Sequence, residues 1–188
     1  MKNIVLFHSA LGLRPGVHGF ADHLRAAGHT VYVPDYYDGE VFDDLDAGIA
    51  YRDALGIAEI GQRAQNAVAD LPTDLIYAGF SLGAGPAQML AQTRPGARGA
   101  VLMHGALPAE AFGVPWPVDV PLEIHAMRDD AWVDIPTATT LSGKSAAGQM
   151  HLYPGSGHLF DDPDLPDYDP AASDLMRGRV LTFLACTD

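Results

Sequence analysis

The chain has 188 residues, 48% of them hydrophobic, and a formal net charge of −13. That length and apolar content suit one domain, residues 1–188, with a sizeable core, and exclude a disordered chain. The negative charge argues against nucleic acid or an anionic membrane surface as partner, and its field opposes anionic substrates. Cys186 is the one cysteine. It makes no internal disulfide, so nothing points to an oxidising compartment, and it reads as a packing residue of the last helix. Residues 1–8 place a lysine before apolar residues, as a signal peptide does. His8 and Ser9 break that run and no small-residue cleavage site follows, so the segment reads as a buried strand. No apolar run approaches a membrane-spanning length, and the expected location is cytoplasmic.

In chain order, residues 2–8 form the first strand, followed by a loop over residues 9–16. Val17, Phe20, Ala21, Leu24 and Ala27 recur at helical spacing until Gly28 stops them. Residues 30–33 are a short second strand that ends at Pro34. Residues 41–71 carry helical periodicity twice, with Gly56 as the break between two helices and Pro72 as the stop. Residues 75–78 are a third strand and residues 99–104 a fourth. Residues 106–120 are a Pro- and Gly-rich excursion. Residues 121–127 are the fifth strand, 136–147 a weak helix, 149–153 the sixth strand, and 171–185 a final helix. Strands separated by helices predict an α/β architecture: a mostly parallel sheet of about six strands with helices on both faces. Ligand sites in such sheets lie beyond the carboxyl ends of the strands.

The most informative stretch is Gly79-Phe80-Ser81-Leu82-Gly83, a G-x-S-x-G between the third strand and a helix. Strand, sharp turn and helix are the setting in which this motif exposes a serine nucleophile on an elbow. A serine hydroxyl needs a histidine to take its proton and a carboxylate to orient that histidine. On such an elbow these follow in the order Ser, acid, His. The loop after the sixth strand, Pro154-Gly155-Ser156-Gly157-His158, supplies His158 as base. After the fifth strand stand Asp129 and Asp130, with Asp134 further on; order alone does not choose among them. Backbone N–H groups of Leu82, and of Ala10 or Leu11 after the first strand, are the expected oxyanion donors. His8 and His104 each end a strand at the site edge and could line the pocket. His125 and His151 lie within strands and read as sheet residues, and His18, His23 and His29 as surface groups. There is no H-E-x-x-H and no i, i+4 histidine pair on a helix, so no metal and no cofactor is expected.

Several stretches carry a resemblance that covers nearly the whole chain. They are Phe7-His8-Ser9-Ala10-Leu11-Gly12, Val33-Pro34-Asp35-Tyr36-Tyr37-Asp38-Gly39, Val41 through Asp46, Tyr77 through Gly83, Ile124 through Trp132, and Tyr153 through Phe160. Together they resemble the dienelactone hydrolase family of α/β-hydrolases. The resemblance implies a three-layer αβα hydrolase fold lacking the usual N-terminal hairpin. It also implies that Asp130, between His125 and Trp132, is the acid, that His158 is the base, and that Ala10 is the second oxyanion donor beside Leu82. The namesake enzymes use a cysteine nucleophile where this chain has Ser81, and grip a substrate carboxylate with arginines. Here Arg14, Arg52 and Arg128 are the arginines near the site, and none matches a family arginine.

The expected function is hydrolysis of a small carboxylic ester or lactone through Ser81, Asp130 and His158 and an acyl-enzyme, with turnover falling in acid as the imidazole takes up a proton. His8, Leu11, Tyr36, His104, Trp132 and Phe160 are the expected pocket residues, with Tyr37, Phe112 and Trp116 as further candidate walls. No nucleic acid or membrane partner is expected, and the chain would act as a monomer or homodimer. The rival readings are a non-catalytic binding protein that keeps the elbow, and an acyltransferase or thioesterase with the same triad.

Overall fold

A computed structural model describes residues 1–187. Six strands form one sheet in the order β2-β1-β3-β4-β5-β6, with every pairing parallel. They are β1 Asn3–Phe7, β2 Thr30–Tyr32, β3 Leu75–Phe80, β4 Gly99–Met103, β5 Leu122–Met127 and β6 Gly148–Tyr153. The helices between and after them are α1 Pro15–Ala26, α2 Leu45–Leu55, α3 Ile57–Val68, α4 Ala84–Thr93, α5 Ile135–Ser142 and α6 Pro170–Cys186. Gly56 separates α2 from α3 with a φ of 89°, a conformation glycine adopts without strain. The expected helix over residues 136–147 stops at Ser142, because residues 143–147 turn back to start β6: a Cβ on Gly148 would lie 1.8 Å from the Ser142 carbonyl oxygen. Among the described residues no helix is long and apolar enough to cross a membrane.

Alternation along the strands explains the layers. Val5 and Phe7 of β1, Leu75 and Tyr77 of β3, and Leu102 of β4 pack with α3, α4 and α5. Ile4 and Leu6, Ile76 and Ala78, and Val101 and Met103 pack with α1 and α6 on the other face. Apolar residues at both parities are what a parallel sheet covered on both faces requires. Cys186, expected to pack, is instead exposed at the end of α6. The neighbouring core positions of that helix belong to Val180, Phe183 and Leu184.

One patch of the α6 face is polar. Glu123 of β5 is buried, with Oε1 3.0 Å from His125 Nε2 and 2.9 Å from His151 Nε2. His125 Nδ1 lies 2.8 Å from the Tyr153 hydroxyl, and the Arg179 guanidinium lies over the Tyr153 ring. Burial pushes the Glu123 carboxyl up to about 7. Burial pushes the imidazoles of His125 and His8 down, to about 3 and about 4. Between the ordinary values of 4.5 for the carboxyl and 6.5 for the imidazoles, the unfolded chain carries two protons on these three groups. The folded chain carries one, on Glu123. The unfolded state binds the extra proton, so stability rises with pH across that window, by about 1.4 kcal/mol per pH unit from these groups. Glu123→Gln removes the opposing contribution and should steepen the rise towards two protons. Denaturant titrations of both proteins at several pH values measure the slopes; equal slopes would mean that Glu123 is already ionised in the fold.

Candidate active site

Ser81 follows β3 directly and begins a tight turn, residues Ser81–Gly83, that feeds α4. Its φ is 51°, a left-handed conformation that costs a non-glycine residue on the order of 1–3 kcal/mol and is sustained only by its surroundings. The two motif glycines supply the room. A Cβ on Gly79 would lie 2.1 Å from the Gly83 carbonyl oxygen. A Cβ on Gly83 would lie 2.5 Å from the carbonyl oxygens of Phe7 and His8. Any side chain at either position would push the elbow off β1 or off itself.

The loop after β6 brings His158 to this serine, with Nε2 2.7 Å from Ser81 Oγ. On the other side of the ring, Nδ1 lies 2.8 Å from Asp130 Oδ2, in the loop after β5. A carboxylate can only accept here, so Nδ1 carries the proton and Nε2 presents its lone pair to the serine hydroxyl. Asp130 is buried, and its Oδ1 accepts the Trp132 N–H at 2.9 Å. Asp129 is exposed, and Asp134 instead caps α5 by accepting the Thr137 N–H at 3.0 Å. Of the three carboxylates that chain order left open, Asp130 is the one the fold places on the histidine.

The loop bearing His158 is fastened at several points. Its own N–H donates to Asp167 Oδ2 at 2.9 Å. Arg14 Nε donates to Asp162 Oδ2 at 2.9 Å and Nη1 to Asp43 Oδ1 at 2.7 Å, so this arginine is engaged by the protein's own carboxylates. Arg128 is exposed. His104, at the end of β4, donates from Nε2 to Asp161 Oδ1 at 2.7 Å, and its ring centroid lies 6.0 Å from that of His158. His104 also has a positive φ, 61°. This second His–Asp pair joins the β4 edge to the loop of His158, a link with no local sequence signature, since its partners are 57 positions apart.

A cavity of about 410 Å³ opens beside Ser81. Ala10, Leu82, His104, Phe112, Trp132 and His158 line it, together with aliphatic residues of α2, α3 and α4. Four of the expected pocket residues do not. His8 and Tyr36 are buried against each other, with ring centroids 3.7 Å apart and the tyrosine hydroxyl donating to the His8 carbonyl. Leu11 is buried beneath α2, close to Gly48. Phe160 is buried edge-on against His104. Tyr37 and Trp116 are likewise in the core. Leu45, Ile49, Ile57 and Met89 do line the cavity; on sequence spacing alone they are indistinguishable from core positions of amphipathic helices. Among the described residues no group of three His, Cys, Asp or Glu side chains is arranged to hold a metal ion.

The sequence matches the family model described as "Dienelactone hydrolase family" over residues 1–187. No curated protein sequence matches it. Among solved structures, a dienelactone hydrolase-like promiscuous phosphotriesterase from metagenomic libraries is 22% identical, with a TM-score of 0.80 over 100% of this chain and 87% of that one. A dienelactone hydrolase of Klebsiella pneumoniae is 19% identical, with a TM-score of 0.76 over 99% of this chain and 87% of that one. A hydrolase of the α/β superfamily from Xanthomonas campestris is 21% identical, with a TM-score of 0.63 over 97% and 99%. At these identities the structural likeness speaks to the fold, which is that of the α/β-hydrolases. The family match covers every strand, the elbow and both loops that meet it, and the chain belongs to the dienelactone hydrolase family.

Proposed function

We propose that this protein is a serine hydrolase of carboxylic esters or lactones, working through Ser81, His158 and Asp130. The observation that carries the reading is the pair of contacts at 2.7 and 2.8 Å that links a strained serine to a buried carboxylate through one imidazole. His158 Nε2 takes the Ser81 proton as Oγ attacks the substrate carbonyl, and Asp130 stabilises the imidazolium that forms. The tetrahedral oxyanion is held by the N–H groups of Leu82 and Ala10. Supporting Ala10 over Leu11, the Leu11 N–H already donates to Ser9 Oγ at 3.1 Å, and Ala10 lines the cavity with Ser81 and Leu82. One such donor is typically worth about 3 kcal/mol in the transition state. The ester C–O bond then breaks, and the leaving oxygen takes the proton from His158. Water gives a proton to His158 and attacks the acyl-enzyme; the carboxylic acid leaves and Ser81 regains its hydrogen. Nucleophile, base and donors are all groups of the chain, so the route calls for no cofactor.

A fluorophosphonate probe tests this directly. The folded protein should be labelled at Ser81, and Ser81→Ala should abolish labelling. A folded protein that resists the probe would favour a binding protein that merely keeps the elbow.

A further inference from the structure

The wall of the cavity says more than its floor. Apart from the catalytic groups and His104 it is mostly apolar, and apolar side chains continue to the rim, where Ile57, Leu107 and Trp132 are 63%, 42% and 56% exposed. Among the described residues the one cation in the wall is Arg52, and its Nη2 lies 2.7 Å from Asp53 Oδ1. Asp134 lines the same cavity and adds negative charge. A substrate carboxylate would therefore leave water for a mostly apolar wall whose single cation already neighbours one carboxylate, which is a costly transfer. It would also approach a chain whose formal net charge is −13.

Two glycines in the wall have no structural reason to be glycine. Gly61 lies inside α3, where glycine costs a helix about 0.5–1 kcal/mol relative to alanine. A Cβ there would meet nothing closer than Met89 Sδ at 3.8 Å. Gly85 lies in the first turn of α4, and a Cβ there would meet nothing closer than Leu107 Cδ1, also at 3.8 Å. Neither has a positive φ. This contrasts with Gly48 of α2, whose Cβ would lie 2.3 Å from the Ala10 carbonyl oxygen and which packing requires. Gly19 and Gly178 are also uncrowded, but they face solvent on α1 and α6. Gly61 and Gly85 face the cavity, where a side chain would occupy volume. What the missing side chains preserve is space, continuous from Ser81 towards the cleft between α3 and α4.

We propose that the site is built for uncharged esters with an extended apolar arm, which runs from Ser81 along Gly85 and Gly61, and that these two glycines set how long the arm can be. The proposal rests on the serine-hydrolase reading above. It departs from the carboxylate-bearing substrates gripped by arginines that the family resemblance would suggest. Burial of the arm in an aliphatic cleft supplies the selectivity, at about 0.8 kcal/mol per methylene, or about fourfold in kcat/KM.

The test uses p-nitrophenyl esters of straight-chain acids from acetate to dodecanoate, and alkyl acetates over the same chain lengths. In one of the two series kcat/KM should climb about fourfold per methylene until the cleft is full. A half-ester ending in a carboxylate should fall well below its neutral counterpart of equal length. Gly61→Leu and Gly85→Leu should each move the optimum to shorter chains, cutting the octanoate-to-acetate ratio at least about tenfold if octanoyl is the arm. Met89→Ala, which widens the same cleft, should move the optimum the other way. An enzyme that turns over acetates yet is flat in both series, or prefers the carboxylate half-ester, overturns this proposal and leaves the triad reading in place. A folded protein inert on every ester and refractory to the fluorophosphonate probe removes the triad reading and this proposal with it.

Discussion

Ser81→Ala should lower kcat on any ester the enzyme accepts by about six decades, the scale on which a serine and its base act as one unit. The reason lies in the geometry of a single hydroxyl. Its oxygen lies 2.7 Å from His158 Nε2, and among the described residues no other hydroxyl is hydrogen-bonded to that nitrogen. With it gone, the imidazole could still activate water in principle, but the acyl-enzyme route is closed. The residual rate would come from binding and from the Leu82 and Ala10 N–H groups. His158→Ala should be nearly as severe, and the double variant should be hardly worse than either single one, because in the proposed route the two groups do one job. Additive losses would indicate two independent catalytic routes. Stability gives a second readout. Alanine at position 81 must still adopt a φ near 51°, whereas glycine adopts it freely. Ser81→Gly should therefore be as inactive as Ser81→Ala but more stable, by on the order of 1 kcal/mol. Thermal denaturation of the two inactive variants compares them directly, with the hydrogen bond to His158 absent from both. If the glycine variant instead melts below the alanine one, by the roughly 0.4–1 kcal/mol that its freer unfolded chain costs, the elbow holds no strain.

Much of this architecture is legible in the order of the residues, for reasons that are local. Leu75, Ile76, Tyr77 and Ala78 form an apolar run too short for a buried helix, and Gly79 and Gly83 bracket a turn that β3 feeds into α4. Once a parallel sheet is inferred, each loop after a strand is known to lie on one edge. His158 and the Asp129-Asp130 pair can then be set opposite Ser81 although they lie 77 and nearly 50 positions away in sequence. Chain order stops short of choosing between neighbouring aspartates, because both side chains leave the same loop. The choice is made by burial and by the Trp132 N–H, which holds Asp130 Oδ1 and turns Oδ2 to the histidine.

The pocket is harder to read, and the failures have a common cause. Tyr36, Tyr37, Trp116 and Phe160 are large aromatics in loops near strand ends, which makes them plausible walls, yet all four are buried. Tyr36 stacks on His8 and meets Tyr37 edge-on, Phe160 meets His104 edge-on, and Trp116 donates from Nε1 to the Val120 carbonyl; no local pattern signals the distant partners. The walls come instead from Leu45, Ile49, Ile57 and Met89 on helices. An apolar residue on the inner face of a helix has the same spacing whether it meets another side chain or an empty cleft. The local clues are subtractive: a glycine inside α3 and one in the first turn of α4, neither of which turns the chain or avoids a clash.

Asp130→Asn should lower kcat by about four decades while Asp129→Asn stays within about twofold of the parent. The two substitutions are chemically identical and one residue apart, so the contrast isolates position. Asp130 accepts from two donors, the Trp132 N–H at Oδ1 and the His158 Nδ1–H at Oδ2. An asparagine has one oxygen and one amide nitrogen to offer these two places. The Trp132 N–H belongs to the backbone and can only donate, so it takes the oxygen. The amide NH2 is then turned to His158 Nδ1, where it must find a lone pair. That selects the imidazole tautomer with its proton on Nε2, facing Ser81 Oγ. The ring is held in place but has no free electron pair to receive the serine proton, and the nearby carboxylate charge that would stabilise the imidazolium is gone. The fold should tolerate the change, since both hydrogen bonds survive, and an unchanged denaturation midpoint would separate lost chemistry from lost structure. At position 129 the side chain is exposed, and the residue's N–H donates to the Gly155 carbonyl whatever the side chain is. Steady-state kinetics on one good ester suffice. Four decades lost at 129 with little change at 130 would mean that the buried carboxylate on His158 is not the one that orients it in the working enzyme.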